Sequence, residues 1–304
     1  MSYVGPDFDA PGPRRRRGPL MVAAAALVPA AVLGWMVYEA VADSGGGPAG
    51  AAPRTGPPAA SGAPGDGRLS SPPAISAAGS GSLKGKVVLV DPGHNPGNFR
   101  HTAEINRKVD IGTNRKECDT TGTSTNSGYT EARFTLDVAR RLRTILERQG
   151  ATVKFTQDGD RPWGPCVDER AHIGNAAHAD AAVSIHADGA AQGDRGFHVI
   201  LPASVHQGLA DTRPIVGPSR DLGTRIRDAF THVTGSPLSN YQGNGTGLVV
   251  RSDLGGLNLS TVPKVFIECG NMRDSKDAAR VTSGGWRQKA AQGISEGIVS
   301  FLRG

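Results

Sequence analysis

Two apolar segments, whose histidines lie 92 positions apart, constrain the fold more than any other feature of the sequence. In the first, Val-Val-Leu-Val (87–90) runs into Asp-Pro-Gly and then His94. In the second, residues 180–188 contain Ala-Ala-Val-Ser-Ile directly before His186. Short runs of β-branched and leucine residues that stop at turn residues are typical of buried strands. Each histidine is therefore expected at the carboxyl end of a strand.

Helical patterns separate the predicted strands. After Thr130, a suitable N-cap residue, apolar side chains recur at three- and four-residue spacings until Gly150. Strands that alternate with helices form mostly parallel sheets. The sequence therefore predicts an α/β fold, a single domain with a mostly parallel central sheet flanked by helices. Further helices are predicted at 167–177, 219–233 and 286–302, and further strands at 151–156, 196–201, 248–250 and 263–268.

Two acidic residues stand at similar end positions. Glu268 closes the predicted strand 263–268, and Glu131 falls in the first turn of the first long helix. Because the carboxyl ends of parallel strands meet at one edge of a sheet, His94, His186 and Glu268 are expected close together. Two imidazoles and a carboxylate are the ligands of an open catalytic zinc site, and a carboxylate outside the metal shell accepts a proton from water. The pattern thus predicts a zinc hydrolase.

Each of these residues alone also has an ordinary structural explanation. A histidine after a strand is commonly a packed or surface residue, and a helix dipole stabilises a glutamate in the first turn. Glu104 and Glu117 are alternative metal ligands in the Gly-, Asn-, Thr- and Ser-rich segment 95–128. Connections of that length in compact domains are usually functional, so this segment is expected to form a hairpin or flap beside the site.

The three cysteines indicate a disulfide rather than a metal site. Cys118 and Cys166 both lie in loop sequence, and in an oxidising compartment such a pair is a candidate disulfide. No Cys-x-x-Cys pair exists, so a thiolate zinc site is not supported. Cys269 is expected to be buried and free, as a packed residue rather than a nucleophile.

Two further features lie in the second half of the chain. His198, in mid-strand, is expected to pack or to be solvated. The Pro-rich connection 202–218 leaves little room for an extra helix.

The first 83 residues differ from the rest in composition. Four arginines at 14–17 precede residues 18–38, which carry no charge. This pattern predicts either a signal peptide or a transmembrane anchor within residues 1–42. Of the 40 residues from 43 to 82, 33 are Gly, Ala, Pro or Ser, so residues 43–83 are predicted to be a disordered linker. Residues 84–304 are left as the folded domain.

The formal net charge of +6 fits an exported domain that works on a polyanionic bacterial envelope. No run of lysine or arginine interleaved with aromatic residues occurs after residue 17, so no nucleic-acid partner is expected. Membrane contact is expected only through residues 18–42. The protein is expected to be exported and monomeric.

The motifs resemble those of the zinc-dependent N-acetylmuramoyl-L-alanine amidases of bacterial cell-wall turnover, the amidase type 3 family. The matching stretches are Asp-Pro-Gly-His at His94, Glu131 opening its helix, Ser-Ile-His-Ala around His186, and Glu-Cys-Gly-Asn-Met from Glu268. The resemblance covers about residues 85–303 and implies one zinc ion per chain, bound by both histidines and Glu131. It also implies that Glu268 is the general base and acid, and that peptidoglycan is cut between N-acetylmuramic acid and L-alanine.

The chain departs from the family pattern at three places that concern the substrate more than the metal. Asn-Pro-Gly (95–97) follows the first histidine where many relatives have Gly-Gly, Asp188 replaces an asparagine, and Gly-Asn (270–271) replaces Gly-Phe. Two alternative functions are a non-catalytic peptidoglycan-binding domain with the amidase fold, and another zinc peptidase or deacetylase acting on the cell wall.

Overall fold

The computed structural model describes residues 83–304, so the predicted signal or anchor segment (1–42) and residues 43–82 of the predicted linker lie outside the described residues. The helices are α1 (Thr102–Ile105), α2 (Glu131–Arg148), α3 (Val167–Ala176), α4 (Val216–Thr234), α5 (Gly255–Asn258), α6 (Ser275–Val281) and α7 (Gly284–Arg303). The strands are β1 (Val87–Pro92), β2 (Lys108–Asp110), β3 (Arg115–Glu117), β4 (Thr152–Phe155), β5 (Ala181–Asp188), β6 (His198–Pro202), β7 (His206–Gln207), β8 (Ala210–Asp211), β9 (Leu248–Arg251) and β10 (Lys264–Asn271). In this part of the chain, none of the helices combines the length and the apolar character needed to cross a membrane.

Six strands form the central sheet in the order β4-β1-β5-β10-β6-β9. Each neighbouring pair is parallel except β10 and β6, which are antiparallel. In the register of the three central strands, Pro92 lies opposite Ile185, and Glu268 lies opposite His186. The ends of β1, β5 and β10 therefore meet at one edge of the sheet. The α/β fold class predicted from the sequence is confirmed.

Both faces of the sheet are covered, which explains why its strands are continuous apolar runs rather than alternating ones. Val88 and Val90 face a large core formed with α2, α4 and α7, and Leu89 faces the opposite side, where it packs with Ala179 and Ala182. All three β1 side chains are fully buried. Burial of a valine or leucine side chain of this kind stabilises the fold by about 1.5–3 kcal/mol.

Helix α2 follows the predicted pattern. Phe134, Val138, Leu142 and Leu146 are fully buried on its sheet-facing side. Thr130 is at the N-cap with extended backbone angles, as predicted, although its side chain makes no capping hydrogen bond. The first helical residue is thereby placed beside the carboxyl ends of the strands.

Segment 95–128 contains the β2–β3 hairpin, as expected for a flap, and we call this segment the flap. The connection 202–218 was predicted too simply: it holds the short β7–β8 hairpin, and α4 begins at Val216 rather than at residue 219. Gly208 supplies the left-handed turn of that hairpin (φ +55°).

Leu83 was assigned to the end of the linker. In the structure it is fully buried, and its N–H donates to the Gln149 carbonyl, so the folded part starts at least one residue earlier than expected.

Candidate metal centre and active site

Three side chains from separate elements converge at the carboxyl edge of the sheet. Glu131 Oε1 is 3.1 Å from His94 Nε2 and 3.0 Å from His186 Nδ1. One ligand atom from each of the three residues lies within 4.8 Å of the others, a grouping able to hold a metal ion. His94 follows β1, Glu131 opens α2 and His186 lies in β5, as their positions in the sequence predict.

Glycines make this close approach sterically feasible. A Cβ atom on Gly93 would be 2.3 Å from His186 Cε1. A Cβ atom on Gly122, which has φ of +72°, would be 2.8 Å from both Glu131 Oε2 and His94 Cδ2. Real Cβ contacts are not that short, so the turn after β1 and the flap loop at Gly122 both require glycine.

Glu131 is held by more than the two histidines. Its Oε2 accepts a hydrogen bond from the Thr123 N–H (2.9 Å), and its Oε1 accepts one from the Ala187 N–H (3.2 Å). The His186 ring stacks on Phe266 with 5.2 Å between ring centres. The carboxylate is 4% exposed. Both oxygens are therefore oriented before any ligand arrives.

Glu268 projects from β10 into the same space but outside the cluster of three. It lines a cavity of about 350 Å³ together with His94, Glu131 and His186. Its Oε2 is buried and has no hydrogen-bond partner among residues 83–304. Burial, followed by the charges of Glu131 and Asp188, raises the pKa of Glu268 well above its usual range. A carboxylate of this kind readily takes up a proton.

The flap also lines a neighbouring cavity. A second cavity of about 400 Å³ shares Gly122 and Thr123 with it and extends to Phe99 and Arg273. Arg251 also lines the first cavity and forms a 2.6 Å ion pair with Asp253. A polymeric or peptide ligand at the cluster therefore has room on the flap side.

The structure also places the other residues singled out from the sequence. Glu104 contacts His101, and Glu117 contacts Lys108, so neither alternative ligand joins the cluster. Cys118 and Cys166, the expected pair, are linked by a disulfide that joins the flap to the start of α3. Cys269 is buried and free, as predicted.

The structure adds detail at further residues around the site, of which Arg170 and Asp119 were not foreseen from the sequence. His198 was expected either to pack or to be solvated, and it is buried in β6. Asp188, one of the departures from the family pattern, accepts a hydrogen bond from the Tyr241 hydroxyl (2.9 Å) at the cavity rim. Arg170 of α3 and Asp119 of the flap lie behind His94. Arginine on a helix and aspartate in a loop usually face solvent, so the sequence carried no signal for this last pair.

The fold and this site define a family: the chain belongs to the N-acetylmuramoyl-L-alanine amidases of the Amidase_3 type, whose family model matches residues 88–300. Among individual proteins it is similar to the N-acetylmuramoyl-L-alanine amidase Rv3717 of Mycobacterium tuberculosis, with 41% identity over 222 residues, 73% of this chain and 88% of the relative. The crystal structure of the amidase Ami1 from Mycobacterium smegmatis has a TM-score of 0.66 and 40% identity, over 72% of this chain and 98% of that one.

A more distant relative is the probable cell wall amidase LytH of Staphylococcus epidermidis, which is 26% identical over 232 residues, covering 76% of this chain and 63% of the relative. The family resemblance inferred from the four motifs is thus confirmed, together with the amidase class of the enzyme.

Proposed function

We propose that this chain hydrolyses the amide bond between N-acetylmuramic acid and L-alanine of the stem peptide in peptidoglycan, using one zinc ion bound by His94, Glu131 and His186. The observation that carries the proposal is the convergence of the three ligand atoms within 4.8 Å, with Glu268 left outside the set. Family membership supports the reaction, and the geometry supports the assignment of roles.

The donor set fits zinc. Catalytic zinc sites commonly use three nitrogen and oxygen ligands and leave one coordination position open. Here two imidazole nitrogens and one carboxylate oxygen face a common point, and the adjoining cavity leaves room on the open side. When bound, zinc would lower the pKa of water and polarise the scissile carbonyl.

Glu268 performs the proton transfers in this proposal. Its unpartnered Oε2 accepts a proton from the attacking water and later delivers it to the nitrogen of the departing L-alanine. Burial, together with the charges of Glu131 and Asp188, raises the pKa of Glu268, so its carboxylate binds a proton more strongly than a solvent-exposed glutamate does. Strand β10 fixes the direction of the side chain, because Glu268 pairs with His186 in the sheet register.

We further propose that the enzyme acts in the cell envelope as an exported monomer. The cell wall amidases among its relatives and the net charge of +6 support this location. Export would rely on residues 1–42, cleaved or retained as an anchor through residues 18–42, and residues 43–82 would serve as a tether. Lipid contact is proposed for residues 18–42 alone.

The test is product analysis. The purified, zinc-loaded protein is incubated with a muramyl-tetrapeptide, and the products are identified by mass spectrometry. An amidase releases an intact sugar and an intact tetrapeptide. Cleavage within the peptide would indicate a peptidase, release of acetate would indicate a deacetylase, and binding without release would indicate a non-catalytic peptidoglycan-binding domain; any of these outcomes would overturn the proposal.

A further inference from the structure

His94 has an unusual backbone conformation for a candidate metal ligand. Its φ is +62°, in the left-handed region that residues with a side chain rarely occupy. Such a conformation costs about 1–3 kcal/mol and persists only where the surroundings enforce it. Something in the fold must therefore hold the turn after β1.

Three side chains bind the successive carbonyl oxygens of that turn. Arg170 Nη1 donates to the Pro92 carbonyl (2.7 Å), and the Thr135 hydroxyl donates to the Gly93 carbonyl (2.7 Å). The His94 carbonyl accepts from Gln157 Nε2 at 3.0 Å and from Arg170 Nη2 at 3.1 Å. Arg170 contacts both ends of the turn at 2.7 and 3.1 Å, and Gln157 Nε2, which also lies 3.5 Å from the Pro92 carbonyl, makes the longer contact at the first end.

All five N–H groups of the Arg170 guanidinium are used. Besides the two carbonyls of the turn, it donates from Nε to the Pro165 carbonyl (2.9 Å), from Nη1 to Asp91 Oδ1 (2.7 Å) and from Nη2 to Asp119 Oδ2 (2.9 Å). The residue is 4% exposed. Five acceptors in fixed positions allow the planar guanidinium group only one orientation, so Arg170 holds the turn after β1 rigidly.

Asp119 extends the support to the imidazole ring. Its Oδ1 lies 3.5 Å from His94 Nδ1 and accepts the Thr120 N–H at 2.8 Å. The Thr120 carbonyl lies 3.1 Å from the same ring nitrogen. In a neutral imidazole that offers Nε2 to a metal, Nδ1 carries the hydrogen, and an acceptor at Nδ1 fixes the tautomer and the ring direction.

We infer that Arg170 and Asp119 are positioning residues that hold His94 so that Nε2 points at Glu131 and His186. This inference rests on the proposed zinc site. Arg170 holds the backbone turn, and Asp119 and Thr120 hold the imidazole ring. The 2.9 Å ion pair between Arg170 and Asp119 links these two sets of contacts. The Cys118–Cys166 disulfide connects the same two segments one residue before Asp119 and one helical turn before Arg170.

A purely structural role is the alternative. Asp91, Asp119, Arg170 and Lys264 are all buried, and the two acids and two bases balance one another, so the group would stabilise the fold even with no effect on the site. The two roles differ in what they change. A positioning role alters metal binding by the folded protein, whereas a structural role alters only the stability of the fold.

The experiment compares Arg170→Lys with Arg225→Lys in the full chain. Lysine keeps the charge at position 170 but cannot reproduce the five-donor fork. Arg225→Lys is the control for the substitution itself: Arg225 also combines an ion pair, to Asp221, with a carbonyl acceptor, at Ser300, but it is partly exposed on α4 and does not line the site. Zinc affinity is measured by competition with a chelator, ligand geometry by the visible absorption of the cobalt-substituted protein, and stability by thermal unfolding of the metal-free protein.

We expect Arg170→Lys to bind zinc about 10–100-fold more weakly, with a changed cobalt spectrum, and Arg225→Lys to match the wild type. Unchanged zinc affinity and an unchanged cobalt spectrum in folded Arg170→Lys would overturn the inference, even if its melting temperature fell. Should Arg170→Lys fail to fold, Asp119→Asn decides by the same measurements, because it keeps the side-chain shape. A wild-type protein that binds no zinc would instead refute the proposed function.

Discussion

Glu268 differs from the other acid at the site in having no partner for one of its oxygens. We expect Glu268→Gln to retain one zinc per chain, because the three proposed ligands are untouched, and to lose about 10²–10⁴-fold in kcat, because the amide cannot accept a proton from water. Metal analysis and muropeptide turnover provide the measurements. Glu296→Gln is the control, since Glu296 is exposed on α7 and bonds only Gln292. Full activity of Glu268→Gln would contradict the assigned role.

His198, which lies opposite Glu268 in the register of β6 and β10, gives a prediction about the pH dependence of stability. Burial lowers the pKa of His198 from 6.5 to about 4. Between these values the unfolded chain binds a proton at this imidazole and the folded protein does not, so its contribution to stability is present above pH 6.5 and is lost as the pH falls towards 4. A tenfold difference in proton affinity between the folded and unfolded states corresponds to about 1.4 kcal/mol of unfolding free energy.

We therefore expect the unfolding free energy to fall less between pH 7 and pH 4.5 in His198→Gln than in the wild type. Denaturant titration at each pH measures it. The difference between wild type and variant isolates this histidine, because the carboxylates that titrate in the same range are common to both. Parallel pH dependences of the two proteins would show that the imidazole is not shielded from protonation.

Among single residues, the sequence pointed to the four residues of the cluster and its cavity because each one lies beside or closes a strongly patterned stretch. His94, His186 and Glu268 follow or close apolar runs, and Glu131 follows an N-cap residue. Arg170 could not be identified in the same way. Its importance depends on the Pro92 and His94 carbonyls facing it in space, and sequence patterns do not report backbone carbonyl directions.

The flap is the element that sets the dimensions of the site. We expect Gly122→Ala to lower kcat/KM by about 10–100-fold, because a Cβ atom there displaces Glu131 or His94. Gly128→Ala is the matched control: Gly128 has a similar φ of +86°, but a methyl group there would meet no other atom within 4 Å. Steady-state kinetics on a soluble muropeptide compare the two variants. Equal losses in both would mean that backbone strain, not the close contact, is responsible.

The sequence predicted the strands of the central sheet and the long helices, but not the shortest elements. Strands such as β5 and helices such as α2 contain enough residues for a period to be read. The two-residue strands β7 and β8 and the four-residue helix α5 do not, and each depends on contacts made elsewhere in the fold. Thr212, for example, closes the β7–β8 region by donating its hydroxyl to the Ala203 carbonyl and accepting the Val205 N–H.

In the whole molecule, the order of strands brings the distant motifs together. Strand β1 pairs directly with β5, and β5 pairs with β10, so His94, His186 and Glu268 meet although the first and the last lie 174 positions apart in the sequence. The alternation of strands and helices predicts a parallel sheet with a shared edge, but not which strands are neighbours. The antiparallel placement of β6 beside β10 was likewise not readable from the sequence.

The division into domains can be tested directly. We expect residues 83–304, produced alone, to fold and to hydrolyse a soluble muropeptide with a kcat close to that of the full chain, because the buried core and the cluster of three lie within this range. Circular dichroism and turnover measure the two properties. A fragment that is unfolded or inactive would show that the first 82 residues contribute to the domain itself.

Cys269 follows Glu268 in β10 and packs in the main core, where burial raises the pKa of its thiol well above the usual range. Because Cys118 and Cys166 are bonded to each other, Cys269 is the one free thiol of the chain. Its alkylation by an added reagent requires β10, the strand that carries Glu268, to separate from its neighbours. The labelling rate of the unaltered protein would thus report how often the centre of the catalytic sheet opens, with no engineered probe.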